Sequence, residues 1–269
     1  MGDMNQNKYF KANKDNWNNR VSIHKDSSFY DLQGFRAGKN MLNSIELDEV
    51  GDVSGKSLLH LQCHFGLDTM SWARMGAQVT GVDFSDEAIK VAKNLSSELD
   101  INANFVCCNV YDLKDHLTGQ FDVVFASYGV IGWLPDLDIW AEIVRHYLKP
   151  GGVFYLAEFH PVVWMFDDDF NKLSYPYFNK GVIEIDQEGT YADKGSDFKH
   201  KEYSWNHAMS EVVNALLRQG LQIELLNEYD YSPYDCFPDM IKNKAGNFQL
   251  KDYKNILPMV YTIRARKSK

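Results

Sequence analysis

Between residues 57 and 159 the chain alternates short apolar runs with amphipathic stretches, and this alternation constrains the fold more than any other feature. Ser57–Gln62 is an apolar run of strand length. Ala77–Val82 (ending on Asp83), Ala103–Cys108, Phe121–Ala126 and Val153–Phe159 read the same way. Helices fit the gaps. Asp68 or Thr69 is placed to cap one running to about Met75, with Gly76 as the residue that ends it. Ser85 caps a second, through about Leu99, whose Ala88, Ile89, Val91, Ala92 and Leu95 form an apolar stripe. A third runs from Asp136 to Leu148 and stops at Lys149-Pro150-Gly151-Gly152. Met209, Val212, Val213, Leu216 and Leu217 give a further helix before Gly220, and Leu221–Tyr229 and Met259–Arg266 supply a sixth and a seventh strand. Strands alternating with helices imply βαβ units, hence an α/β, doubly wound, mostly parallel Rossmann-like sheet with helices on both faces. Such sheets take ligands at the carboxyl ends of their strands, where Gln62–Gly66, Asp83, Asn109 and Ser127 fall.

Two stretches lie outside the alternation. Residues 1–50 are polar with scattered aromatics and read as one or two short helices with loops. Residues 160–206 form an aromatic-rich insertion, in which Gly181–Asp186 and Phe198–Trp205 are expected to pair as a hairpin. A loop of about 25 residues is expected after Tyr229. The organisation predicted is one domain over 1–269, with 1–50 as an N-terminal helical lid and 160–206 shaping a substrate pocket.

Composition narrows the class of partner. A net charge of −9 is wrong for a protein that grips a phosphate backbone, so no nucleic-acid partner is expected. The N-terminus has no apolar leader and no window holds 18 apolar residues, which predicts a cytoplasmic protein without a membrane partner. Four cysteines, none in a CxxC pair, do not make a disulfide scaffold. Oligomeric state, monomer or homodimer, stays open.

At the strand ends the chain resembles the class I S-adenosylmethionine (SAM) dependent methyltransferases. The resemblance covers about residues 55–160, with a compatible ending at 207–266. The family's first motif is an apolar strand ending in an acidic residue, followed by a Gly-x-Gly-x-Gly loop. Here it reads His60-Leu61-Gln62-Cys63-His64-Phe65-Gly66: His60 stands in the acidic place, Gln62 and His64 in the first two glycine places, and Gly66 matches. The run LHLQCHFGLDT (residues 59–69) is similar to a bacterial subgroup carrying these substitutions together. The second motif, Gly81-Val82-Asp83-Phe84-Ser85, matches. The third has Asn109 where Asp is usual, followed by Val110 and Tyr111. Phe121–Ser127, Leu134-Pro135-Asp136 and Leu148–Gly152 match as well.

The resemblance implies a seven-stranded sheet with an antiparallel last strand. It implies SAM as cofactor, S-adenosyl-L-homocysteine as product, and transfer of a methyl group to O, N or C of a small molecule. It places Gln62, Cys63, His64, Gly66, Asp83, Phe84, Asn109, Val110, Ser127 and Tyr128 around the cofactor, with Asp83 on the ribose hydroxyls. Gly66 is expected to give close backbone approach. Two rivals share the strand–turn–helix pattern: a non-catalytic SAM or nucleotide binder, and an NAD(P)-linked oxidoreductase. The second is disfavoured because Gln62 and His64 replace glycines that a pyrophosphate needs.

SAM arrives activated, so the protein's share is orientation and a dry site, and aromatic faces suit a sulfonium. Trp17, Tyr30, Trp164 and Trp205 are the expected lid and substrate lining. His160 and His207 are the candidate bases. No metal is expected: His60, Cys63 and His64 straddle a strand-to-loop junction, and Asp167-Asp168-Asp169 point three ways.

Overall fold

The structure, a computed structural model, describes residues 2–193 and 195–269, with side chains from Lys8 onward. Met1 of the 1–50 segment and Lys194 of the 160–206 insertion lie outside the described residues. The chain opens with helix α1 (Gly2–Asp26), α2 (Leu32–Arg36) and α3 (Ser44–Val50). The alternation follows: β1 (Ser57–Leu61), α4 (Leu67–Arg74), β2 (Gln78–Asp83), α5 (Asp86–Glu98), β3 (Ala103–Cys107), α6 (Leu113–His116), β4 (Phe121–Ser127), α7 (Leu137–Tyr147) and β5 (Leu148–Phe159). The insertion carries the hairpin β6 (Ile183–Glu188) and β7 (Lys199–Ser204). After it come α8 (Met209–Arg218), β8 (Leu221–Tyr229), a short pair β9 (Met240–Lys242) and β10 (Phe248–Leu250), and β11 (Val260–Lys267).

Among the described residues the main sheet has seven strands in the order β3-β2-β1-β4-β5-β11-β8. The pairs β2–β3, β1–β2, β1–β4 and β4–β5 are parallel, and β11 runs antiparallel to both β5 and β8. Side-chain alternation sorts the two faces. Leu59, Leu61, Val124, Ala126 and Leu156 pack with Trp140 and Val144 of α7 and Val212 and Leu216 of α8. Leu58, Val79, Phe125 and Tyr155 pack on Trp72 of α4 on the other face, and α4 shares a second cluster with Ala88, Ile89 and Leu95 of α5. Burying rows of large apolar side chains on both faces is what holds a parallel sheet together. Among the described residues no helix is long and apolar enough to cross a membrane.

Local sequence explains most element ends. Ser85 Oγ accepts the Ala88 amide, and Asp136 accepts the amides of Asp138 and Ile139, so α5 and α7 start where capping residues stand. Three expectations need correction. Neither Asp68 nor Thr69 caps α4: its N-cap is Gly66, in left-handed backbone, and Thr69 Oγ1 instead pairs with His60 Nδ1 at 2.8 Å. The N-terminal segment opens with one 25-residue helix rather than short ones. The stretch after Tyr229 is not all loop, since β9 and β10 pair within it.

Gly66 has φ +76°, and a Cβ there would meet Phe105 Cε1 at 2.5 Å, with the Ala92 methyl at 3.4 Å. The missing side chain thus lets the turn seat on Phe105; the closeness the residue permits is to the core. Gly66→Ala should cost about 2–3 kcal/mol in denaturant unfolding, from left-handed strain plus overpacking. A loss below about 0.5 kcal/mol would show that Phe105 simply swings aside.

Candidate active site

The carboxyl ends of β1, β2, β3 and β4 open into one cavity of about 670 Å³, within the roughly 300–1,000 Å³ usual for small-molecule pockets. All ten expected cofactor positions line it: Gln62, Cys63, His64, Gly66, Asp83, Phe84, Asn109, Val110, Ser127 and Tyr128. So do Trp17, Tyr30, Trp164 and Trp205.

The turn after β1 keeps a glycine-like path without the glycines. Gln62 has φ +56° and His64 φ +51°, both left-handed. Side-chain bonds hold them there. Gln62 Nε2 donates to the Val130 carbonyl (2.9 Å), and His64 Nε2 lies 3.1 Å from His24 Nδ1. The His64 amide donates to Asp83 Oδ2 (2.8 Å), and the Ser85 amide to Asp83 Oδ1 (2.9 Å). Asp83 is thereby aimed rigidly, and its remaining lone pairs are available to hydroxyl donors. Burial, partly offset by these amides, pushes its carboxyl up to about 6. Asn109 Oδ1 accepts the Tyr111 amide (3.1 Å) and shapes the turn after β3.

At the end of β1 no acid is present. Burial drives His60 down to about 3, so it is neutral. A carboxyl comes into the cavity from the next element instead, Asp68 of α4. Ser127 Oγ donates to its Oδ2 at 3.4 Å, and burial with the nearby Glu46 lifts it to about 7. Both Asp68 and Asp83 therefore favour the folded free protein while protonated. Their contribution is complete below pH ~4 and lost as pH rises through about 6 and 7. Asp68→Asn should flatten the fall of Tm between about pH 4 and 7, leaving the variant a few degrees more stable than the parent at the upper end. Parallel profiles would refute this account.

The cover is built from α1 and the hairpin. Phe10, Asn13, Trp17, Arg20 and His24 recur at three- and four-residue steps, which puts them on one face of α1. Trp17 meets the rings of His64 (5.2 Å) and Trp133 (5.4 Å) edge to face. The hairpin turns the cross-strand pairs Ile183/Ser204, Ile185/Glu202 and Gln187/His200 toward the same cavity. Arg20 Nη2 reaches Glu202 Oε2 and His200 Nε2, both at 2.7 Å, and its guanidinium lies over Trp17 and Trp133. Asn13 exchanges two hydrogen bonds with the Tyr203 backbone, and the Tyr30 hydroxyl meets that of Tyr191.

His160 and His207 do not belong to this cavity. The Val162 amide donates to His160 Nδ1 (3.2 Å), so Nε2 carries the proton and donates to Glu228 (2.9 Å). His207 Nε2 donates to the Leu134 carbonyl (2.7 Å), and its Nδ1 lies 3.0 Å from Glu211. Both imidazoles are committed to holding loops, which removes them as bases. Glu158 is likewise structural, receiving the amides of Gly129, Val130 and Ile131 behind the cavity. Asp167 Oδ1 accepts the amides of Asn171 and Lys172, and among the described residues no three His, Cys, Asp or Glu side chains are grouped to hold a metal. Asp68, Arg20, Trp133, Tyr191 and Glu202 are cavity residues absent from the expected set. The helical step of Trp17, Arg20 and His24 is the one sequence signal that pointed to any of them.

The methyltransferase domain family matches residues 59–154. A ubiquinone biosynthesis O-methyltransferase of Xanthomonas oryzae pv. oryzae is 33% identical over 132 residues, 48% of this chain and 55% of that protein. The chain therefore spans about half the length of that relative. The Chromobacterium violaceum protein of the same name is 27% identical over 83% of this chain and 88% of its own. In structure, a putative S-adenosylmethionine dependent methyltransferase from Listeria monocytogenes superposes with a TM-score of 0.58 at 21% identity, covering 84% of this chain and 97% of that one. The methyltransferase domain family thus matches the stretch from β1 into β5, and the chain shares the fold of the S-adenosylmethionine dependent methyltransferase structure it superposes on.

Proposed function

We propose that the protein is a SAM-dependent methyltransferase that moves a methyl group to a nucleophilic atom of a small molecule enclosed beneath α1 and the β6–β7 hairpin. The observation that carries this reading is convergence: four strand ends, the rigidly aimed Asp83 and an aromatic cover meet in one cavity. The residues present suit SAM. Asp83 takes ribose hydroxyls, Asn109 and Val110 border the adenine, and the Gln62–Gly66 turn receives the amino-acid end. Bound there, SAM supplies a methyl already activated on a sulfonium.

The chain's own residues do the rest by orientation and exclusion of water. Residues 1–50 act as the lid, with Trp17 and Tyr30 closing on the cofactor turn, while Trp164 and Trp205 border the acceptor. Where the acceptor must lose a proton, His64 is a cavity-lining imidazole that burial keeps neutral, and unlike His60 its Nδ1 has no hydrogen-bond partner. The aromatic lining, together with the names of the relatives, favours an aromatic hydroxyl as the methylated group.

Two measurements test the reading. Thermal shift should respond to SAM and S-adenosylhomocysteine but not to NAD, because a ligand of the folded state raises Tm. Release of S-adenosylhomocysteine should then follow when phenols and amines are offered. A response to NAD alone overturns the reading, and SAM binding without turnover on any acceptor favours a non-catalytic binder.

A further inference from the structure

The end of β1 carries His60 in the place where the resemblance has an acidic residue. His60 is buried with its Nδ1 engaged by Thr69 Oγ1 at 2.8 Å. One residue before Thr69, Asp68 lines the cavity. Its hydrogen bonding among the described residues is a single long contact from Ser127 Oγ, 3.4 Å. A second acceptor on the same connection has no donor at all. Because Gln62 Nε2 donates to the Val130 carbonyl, the orientation of the amide is set, and its Oε1 is buried with no donor. Leaving a buried acceptor without a donor is costly, so a site that sets one beside a sparsely bonded carboxyl is built for something that brings several N–H groups. The protein does not provide it. Arg20 is the one Lys or Arg among the described residues lining the cavity, and it is bound to Glu202 and His200.

Resting on the function proposed above, we infer that Asp68, with Gln62 Oε1, is the anchor for the α-ammonium group of SAM. The anion of the cofactor site has moved from the end of β1 to the first turn of α4. An ammonium group has three N–H donors and one charge, which matches one carboxylate and one amide oxygen. A sulfonium has no N–H and would leave Gln62 Oε1 unsatisfied. The raised carboxyl of Asp68 agrees, since an anion with too few partners is held protonated until a cation arrives.

The test uses the full-length protein and two probes: S-adenosylhomocysteine, which keeps the ammonium but has no sulfonium, and its analogue with hydrogen in place of the α-amino group. Isothermal titration should show the parent protein preferring S-adenosylhomocysteine by about 30-fold, in the range of a charge-assisted hydrogen bond. Asp68→Asn, an isostere of the protonated acid that the free protein already accommodates, should erase most of that preference. It should change affinity for the analogue by no more than about threefold. Asp68→Glu should keep part of the preference, and Gln62→Met should lose a smaller part. Equal weakening of both probes by Asp68→Asn, or a preference that survives it, overturns the assignment. Failure of the parent protein to bind S-adenosylhomocysteine at all overturns the proposed function instead, and the two failures are distinguishable in one titration series.

Discussion

Asp83→Ala should lower affinity for S-adenosylhomocysteine by about 100-fold or more and abolish its effect on Tm. Two losses combine. The proposed ribose contacts are charge-assisted, each contributing roughly 1.5–3 kcal/mol. The same carboxylate also receives the amides of His64 and Ser85, so its removal frees the turn that follows β1. The free protein should not suffer in proportion. A buried carboxyl pushed up to about 6 is a poor contributor to folding at neutral pH. The expected signature is a large binding defect with a small change in unliganded Tm. A variant that unfolds outright while the folded fraction binds normally would reassign Asp83 to the scaffold.

The second large effect concerns the cover. Arg20→Met should destabilise the protein by about 2–4 kcal/mol, because Glu202 is then left buried with only the longer contact to His200, 3.5 Å away. The side chains of the pair are only 6% and 14% exposed, so water cannot take over the lost partner. Adding Glu202→Gln to Arg20→Met should restore most of the loss, since two neutral groups carry no such penalty. Additive costs in the double variant would mean that Arg20 acts through its packing on Trp17 and Trp133 instead. This pair also bears on Trp17. Because Trp17 rests on His64 as well as on Trp133, its removal is expected to disturb the cofactor turn along with the acceptor side.

The sheet was legible because parallel strands buried on both faces are nearly uninterrupted apolar runs, and Phe121–Ala126 and Val153–Phe159 have no other reading. The strand ends at Gln62–Gly66, Asp83, Asn109 and Ser127 followed from it, and the ten cofactor positions that the resemblance implied all line the cavity. Less legible was α1. Its inward face mixes Asn13, Trp17, Arg20 and His24, so hydrophobic periodicity is weak there even though the helical step is intact. His160 and His207 suit a base by their chemistry and their place after strands. Only tertiary partners, Glu228 and the Leu134 carbonyl, reveal them as supports. Asp68 does not stand out in the sequence, because an acid in the first turn of a helix has a sufficient local explanation. What sets it apart is the scarcity of its partners, and that is a property of the cavity.

Gln62 and His64 hold a backbone shape that costs a non-glycine residue about 1 kcal/mol each. Glycines would hold it without that cost, yet would have nothing to reach with. The side chains here reach outward, Gln62 to the segment after β4 and His64 to α1. The turn is consequently a junction, and ordering it and docking α1 are linked equilibria. Linkage of this kind is reciprocal. The free energy by which a docked α1 favours an occupied turn equals the free energy by which an occupied turn favours docking.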